Sequence, residues 1–319
     1  MIERTTGAGN ASLAGRPIEP ANWNNFRNAA NAWREDAAQR PGNASFFYFA
    51  GHGVQRFNGD HVLLCTEFGS EPVLGAAVDL KQLIGGMRPS EARDKIARTQ
   101  FYFIDACRIN PKTFKDYDRE GMGLPPIWDL VNLLGDDRRK LVVQTTQGHA
   151  AYMIPKQQTA FSRALIECLE GGAGFAHPES FDANWEPRWC VTSDRLSTGL
   201  GYYFEKINSE YGIKQATEIS IDCGRVVIRW LTRRPEVEVM LQITPAPAHQ
   251  LAKLDVFDGS DSLYRQYTQA LTPHPKTDRF PAGHYTIAAK VQPPTAPYRD
   301  LRRIYTATPP NAHWPIPLE

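Results

Sequence analysis

Two runs stand out from the mixed polar and apolar background of the chain: Phe46-Phe47-Tyr48-Phe49-Ala50 and Phe101-Tyr102-Phe103-Ile104. Short, continuous apolar runs of aromatic and β-branched residues suit strands covered on both faces, as in a parallel sheet. Leu141-Val142-Val143-Gln144-Thr145 reads as a further buried strand, and His61-Val62-Leu63-Leu64-Cys65 as a shorter one. Between them the apolar spacing turns helical. Phe26, Ala29, Ala30, Trp33 and Ala37 predict a helix that Pro41-Gly42-Asn43 stops. Leu80, Leu83, Ile84 and Met87 predict another, opening near Asp79, a residue type that caps helices. Phe161, Ala164, Leu165, Cys168 and Leu169 mark an amphipathic helix ended by Gly171-Gly172-Ala173-Gly174. Trp189-Cys190-Val191 reads as a short strand. Thr192, Ser193 and Asp194 offer caps for a helix with Leu196, Leu200, Tyr203, Ile207 and Tyr211 on its apolar face.

The pattern then changes. Arg225 to Leu231 and Val237 to Ile243 are strand-like, and prolines recur at 245, 247, 273, 275 and 281. Short strands punctuated by Pro and Gly predict an all-β, sandwich-like domain over 232–319. The expected architecture is α/β over 23–215, a mainly parallel sheet with helices on both faces, followed by that β domain. Residues 1–22, rich in Gly, Ala, Asn and Pro, read as loosely ordered.

Composition narrows the function classes. A formal charge of +1 gives no global attraction to nucleic acid or an anionic membrane. No apolar run approaches the roughly 20 residues of a membrane span. The N-terminus, Met1-Ile2-Glu3-Arg4, is polar and lacks a signal-peptide core, so a cytoplasmic protein is expected. Cys65, Cys107, Cys168, Cys190 and Cys223 are odd in number and widely spaced, with no Cys-x-x-Cys pair. That argues against a disulfide framework or a zinc site and for a reducing compartment.

The chemistry collects at two strand ends. The first apolar run closes on Gly51-His52-Gly53 and the second on Asp105-Ala106-Cys107-Arg108. In open parallel sheets, sites form just past the carboxyl ends of the strands. One strand delivers an imidazole and the other a thiol, the parts of a cysteine nucleophile with its general base. Gly53 fits an oxyanion-hole amide beside that of Cys107; a turn glycine is the other reading.

Together the motifs Tyr48-Phe49-Ala50-Gly51-His52-Gly53 and Phe103-Ile104-Asp105-Ala106-Cys107-Arg108 resemble the caspase family and its metacaspase, paracaspase and prokaryotic caspase-like relatives. The separation, 107 − 52 = 55, fits a family that places its His about 50 residues before its Cys. The resemblance covers roughly residues 24–210. It implies a cysteine endopeptidase with Cys107 as nucleophile and His52 as base, acting on protein or peptide substrates.

By the same resemblance, Asp105 lines a pocket for a basic P1 side chain, and Gly148, His149, Ala150 and Tyr152 form a wall of the substrate groove. Prokaryotic relatives often serve defence or cell-death systems, in which a partner releases the protease. Here an activating partner could act through the β domain. The chain departs from the family in having no apolar strand before residue 24. It is either a shortened form or takes that strand from another chain. An inactive caspase-like scaffold whose β domain binds a partner is the alternative. No cofactor is required by the chemistry. Asp116, Asp118 and Glu120 lack the spacing of a dedicated calcium loop and read as a solvated loop.

Overall fold

The computed structural model describes residues 12–13, 16–17, 19–56, 60–69, 73–110, 124, 126–154, 158–183, 185–222, 224–294 and 296–318. β1 (Ser12–Leu13) and β2 (Arg16–Pro17) make a small antiparallel pair. Helix α1 (Trp23–Ala37) opens on Asn22, whose side chain accepts a hydrogen bond from the Asn25 amide at 2.8 Å. That satisfies one of the amides a helix leaves unpaired at its start. β3 (Ala44–Gly51), β4 (Gly53–Gln55), β5 (His61–Leu64) and β6 (Ala77–Asp79) follow. Asp79 caps α2 (Leu80–Gly86) by accepting from the amides of Lys81 and Gln82. β7 (Thr99–Ala106) and β8 (Arg139–Thr145) complete the parallel strands. Then come α3 (Ala160–Glu167), β9 (Gly174–Phe181), β10 (Pro187–Thr192), α4 (Ser193–Tyr211), β11 (Thr217–Asp222) and β12 (Val227–Trp230).

The main sheet runs β11-β8-β7-β3. β3, β7 and β8 are parallel, and β11 closes one edge antiparallel to β8. Every residue of the central β7 is buried, which is why its sequence shows no polar alternation. On one face Phe47 packs against Phe26 and Trp33 of α1. On the other, Phe46 lies 4.9 Å from Phe103, and the Tyr48 hydroxyl reaches Ser162 in α3 at 2.7 Å. The fold is thus α/β, with helices on both faces of a mainly parallel sheet.

The chain packs as two compact units, residues 1–163 with 206–224, and residues 164–205 with 225–319. The linear pattern suggested one break between 215 and 232. The chain instead crosses between units three times, the last at 224–225. The segment 164–205 joins the β-rich unit because β10 is the middle strand of an antiparallel sheet ordered β12-β10-β9. β9 lay outside the expected strands, for its sequence, GFAHPESF, carries a proline and no apolar run.

The rest of the second unit is a β-sandwich. β13 (Glu236–Thr244), β14 (Ala252–Phe257), β15 (Leu263–Tyr267), β16 (Lys276–Pro281), β17 (Gly283–Val291), β18 (Leu301–Ala307) and β19 (Asn311–Pro317) form sheets ordered β16-β13-β19 and β15-β14-β17-β18. β13 alternates cleanly, with Val237, Val239, Leu241 and Ile243 all buried. Its core is completed by the packed rings of Phe280, Tyr285 and Trp314. No helix among the described residues is long and apolar enough to cross a membrane.

Candidate active site

β3 and β7 leave the sheet side by side. Their register runs to Gly51 opposite Ala106, so His52 and Cys107 are the next residues of each chain segment. His52 is exposed and Cys107 half-buried. The other described cysteines, Cys65, Cys168 and Cys190, are buried. Burial pushes all three thiols up, Cys65 to about 12, which leaves them poor nucleophiles. Cys223 lies outside the described residues.

The segment after β8 is strapped to the nucleophile's backbone. The Arg108 amide donates to the His149 carbonyl at 2.9 Å, and the Gly148 amide to the Arg108 carbonyl at 2.8 Å. Gly148 needs its glycine, since its φ of +80° is one that L side chains rarely adopt. The Ala151 amide donates to Cys107 Sγ at 3.3 Å, and the thiol is 3.8 Å from the Ala151 carbonyl. Tyr152 is held by its amide, which donates to Gln215 Oε1 at 2.9 Å. Gly148, His149, Ala150 and Tyr152 thus sit on a segment bound to Cys107 and its neighbours. The exposed His149 contributes through its backbone. Gln55 ties in the third strand: its amide donates to the Ile109 carbonyl at 2.7 Å, and its Oε1 accepts from Gly148 at 3.1 Å.

Gly53 is a close-packing glycine. A Cβ there would lie 2.7 Å from the Cys107 carbonyl, 2.9 Å from His61 Nε2 and 3.0 Å from the Ala106 Cβ. Only a residue without a side chain lets the His-bearing segment approach the Cys-bearing one so closely.

Asp105 is only 2% exposed. Its Oδ2 accepts from the Thr159 hydroxyl in a short hydrogen bond and has Tyr48 Oη and Ser162 Oγ at 3.4 and 3.5 Å. Thr159 is itself fixed, because its Oγ1 also accepts from the Ser162 amide at the start of α3, at 3.0 Å. The other carboxylate oxygen, Oδ1, is buried with no hydrogen-bond partner among the described residues. Burial pushes the Asp105 carboxyl up to about 6, against hydrogen bonds that favour its ionised form.

The linear reading passed over His61, Gln144, Thr159 and Ser162. In the sequence His61 is simply the first residue of an apolar strand. It is 3% exposed, with Nε2 3.1 Å from the Cys107 carbonyl and Nδ1 3.1 Å from the Gln144 amide oxygen. A histidine opening an otherwise apolar strand was the one local sign of it. Asp116, Asp118 and Glu120 lie outside the described residues. Among the described residues no group of three or more metal-ligating side chains is placed to hold an ion.

A mainly parallel sheet that releases a His and a Cys from adjacent strand ends defines the caspase-like class of folds. The family model of the caspase domain matches residues 16–182, about half of the chain, and the chain belongs to that family. It is also similar to the uncharacterized protein y4kE of Sinorhizobium fredii (strain NBRC 101917 / NGR234). The two are 25% identical over an alignment of 289 residues that covers 85% of this chain and 75% of that one.

Proposed function

We propose that the protein is a cysteine endopeptidase that cleaves after Arg or Lys. His52 takes the proton of Cys107, and Sγ attacks the scissile carbonyl carbon. The amides of Gly53 and Cys107 receive the oxyanion of the tetrahedral intermediate. His52 then protonates the departing amine, leaving a thioester that water hydrolyses with His52 as base.

The observation that carries this reading is the strand register, which sends His52 and Cys107 out of neighbouring parallel strands at the same level. The unpartnered, buried Oδ1 of Asp105 supports a cationic P1 side chain. A charge-assisted bond there would satisfy the orphan oxygen and favour the carboxylate over its protonated form. Asp105 is 2% exposed, so a substrate must open its cover to reach it. The test is a set of fluorogenic peptides differing only at P1, run against wild type and Cys107→Ala. Cleavage after Arg and Lys, absent from the variant, is the expected result. Preferred cleavage after Asp would sink the P1 assignment.

The closed cap over Asp105 favours one other reading, a caspase-fold scaffold whose β-rich unit binds a partner. A wild-type protein that a peptidyl thiol-reactive probe fails to label, with or without a partner protein, would select it.

A further inference from the structure

β4 and β5 form a hairpin in which Gly53 pairs with Leu63 and Gln55 with His61. This hairpin starts one residue after His52. From its second strand the His61 side chain reaches across to the nucleophile's own peptide group, 3.1 Å from the Cys107 carbonyl, while its other nitrogen meets Gln144 at the end of β8. The same peptide unit is gripped at its far end, where the Arg108 amide donates to the His149 carbonyl. A carbonyl oxygen only accepts, so the proton of that contact belongs to Nε2. Nδ1 of a neutral ring is then an acceptor. The Gln144 amide meets it by a half turn that presents its nitrogen, a rotation that leaves the shape of the group unchanged.

We infer that His61 is a positioning residue for the catalytic pair. As a neutral imidazole protonated on Nε2 and steered by Gln144, it clamps the Cys107–Arg108 peptide to the hairpin that carries His52. Its surroundings fit that role. The ring is buried against the Gly53 backbone, at a spacing that would leave a Cβ 2.9 Å from Nε2. Burial, the largest influence, holds its pKa below the ordinary value of 6.5; Gln144, when it presents its oxygen, opposes that, Arg108 nearby adds to it, and the Cys107 carbonyl and Glu218 oppose it more weakly. An imidazolium would add an unneeded charge in that space, whereas the neutral donor fixes ψ of Cys107 from one side while the 148–151 segment fixes it from the other. Preorganisation of this kind matters because a shift of about 1 Å at a reacting group costs up to about a hundredfold in rate.

This inference uses the peptidase reading only for the purpose of the clamp, so its test does not need substrate turnover. The alkylation rate of Cys107 by iodoacetamide is measured across about pH 5 to 9 in wild type, His61→Leu and His61→Gln, with Cys107→Ala marking the background. Leu keeps the bulk and loses the donor; the Gln amide reaches about as far as Nε2 and keeps it. Loss of the donor should slow alkylation on the order of tenfold in His61→Leu, with His61→Gln within about threefold of wild type. Nitrogen-15 NMR of the wild type should place the His61 proton on Nε2 at neutral pH, a readout that survives even if His61→Leu does not fold.

Equal alkylation rates in wild type and His61→Leu, a failure of Gln to restore what Leu removes, or a proton found on Nδ1 would each overturn the inference. A wild type that alkylates and titrates as expected yet cleaves no peptide would support the clamp and remove the peptidase reading.

Discussion

Replacing Asp105 by Asn should make the free protein more stable at neutral pH while removing its preference for a basic P1. The carboxyl sits under Thr159, Ser162 and Tyr48 with one oxygen unpaired among the described residues, and burial lifts it from the ordinary 3.8 to about 6. A raised carboxyl favours the folded state only while it is protonated. Its contribution is fully present below about pH 3.8, is lost as pH rises through about 6, and is absent above that. About two pKa units correspond to about 3 kcal/mol of strain carried at pH 7 and above. Asn keeps an oxygen for the hydroxyls of Thr159 and Ser162 and never ionises. The variant should therefore match wild type near pH 4 and exceed it by up to about 3 kcal/mol near pH 8, a rise of about 6 to 10 °C in thermal midpoint. Urea denaturation across that range measures the gap. A constant gap between about pH 4 and 8, or a variant less stable at pH 8, would refute the argument. With peptide substrates, kcat/KM for a P1 Arg should fall in wild type as pH drops through about 6, since the pocket loses its charge; the variant should lose that step.

Cys107→Ala and His52→Ala should each abolish peptide cleavage with an unchanged far-ultraviolet circular dichroism spectrum; turnover surviving in either variant would break the dyad assignment. Gly53→Ala drives a Cβ to 2.7 Å from the Cys107 carbonyl. It should cost about 1–3 kcal/mol in urea denaturation and slow Cys107 alkylation, because the Cys107 backbone and the buried His61 ring leave little room to yield. In the β-rich unit, His274 Nε2 accepts from the Ile243 amide at 2.9 Å and its ring stacks on His249 at 4.6 Å. Burial, with the neighbouring His249, lowers the His274 pKa from 6.5, so its contribution to stability is present above pH 6.5 and lost as pH falls through the lower folded value. Hydrogen exchange at the Ile243 amide should accelerate between about pH 7.5 and 5 beyond the general trend; unchanged protection would exclude the coupling. Cleavage at Thr232-Arg233-Arg234-Pro235 should leave the pieces associated on gel filtration, because 164–205 and 225–319 pack as one unit; a freely eluting 232–319 fragment would contradict this.

The placement of His52 and Cys107 was legible because both follow strand ends. The expectation of strands covered on both faces holds for β7, which is buried throughout, but not for β3, an edge strand whose Phe46 and Tyr48 are exposed; both strands stop at the residue before His52 or Cys107. The start of α2 was equally readable: Asp79 caps it by bonds to amides two and three residues away. Such features are local, and local rules reach them. β9 was not readable for the opposite reason. Its residues have no strand pattern of their own, and it exists as a strand because β10 offers it a hydrogen-bonding edge.

The sequence by itself determined the class of fold and the strand ends from which His52 and Cys107 emerge, because apolar periodicity and strand-end motifs are written in consecutive residues. Tertiary structure decided three other matters. It closed Asp105 under Thr159, which stands 54 positions away, and so made it a buried carboxyl raised to about 6. It gave Gly53 its reason, a carbonyl that belongs to residue 107. It joined His61 to Cys107 and Gln144 across 46 and 83 positions. Contacts at those separations follow from how strands are ordered in the sheet, and no local pattern of side chains encodes that order.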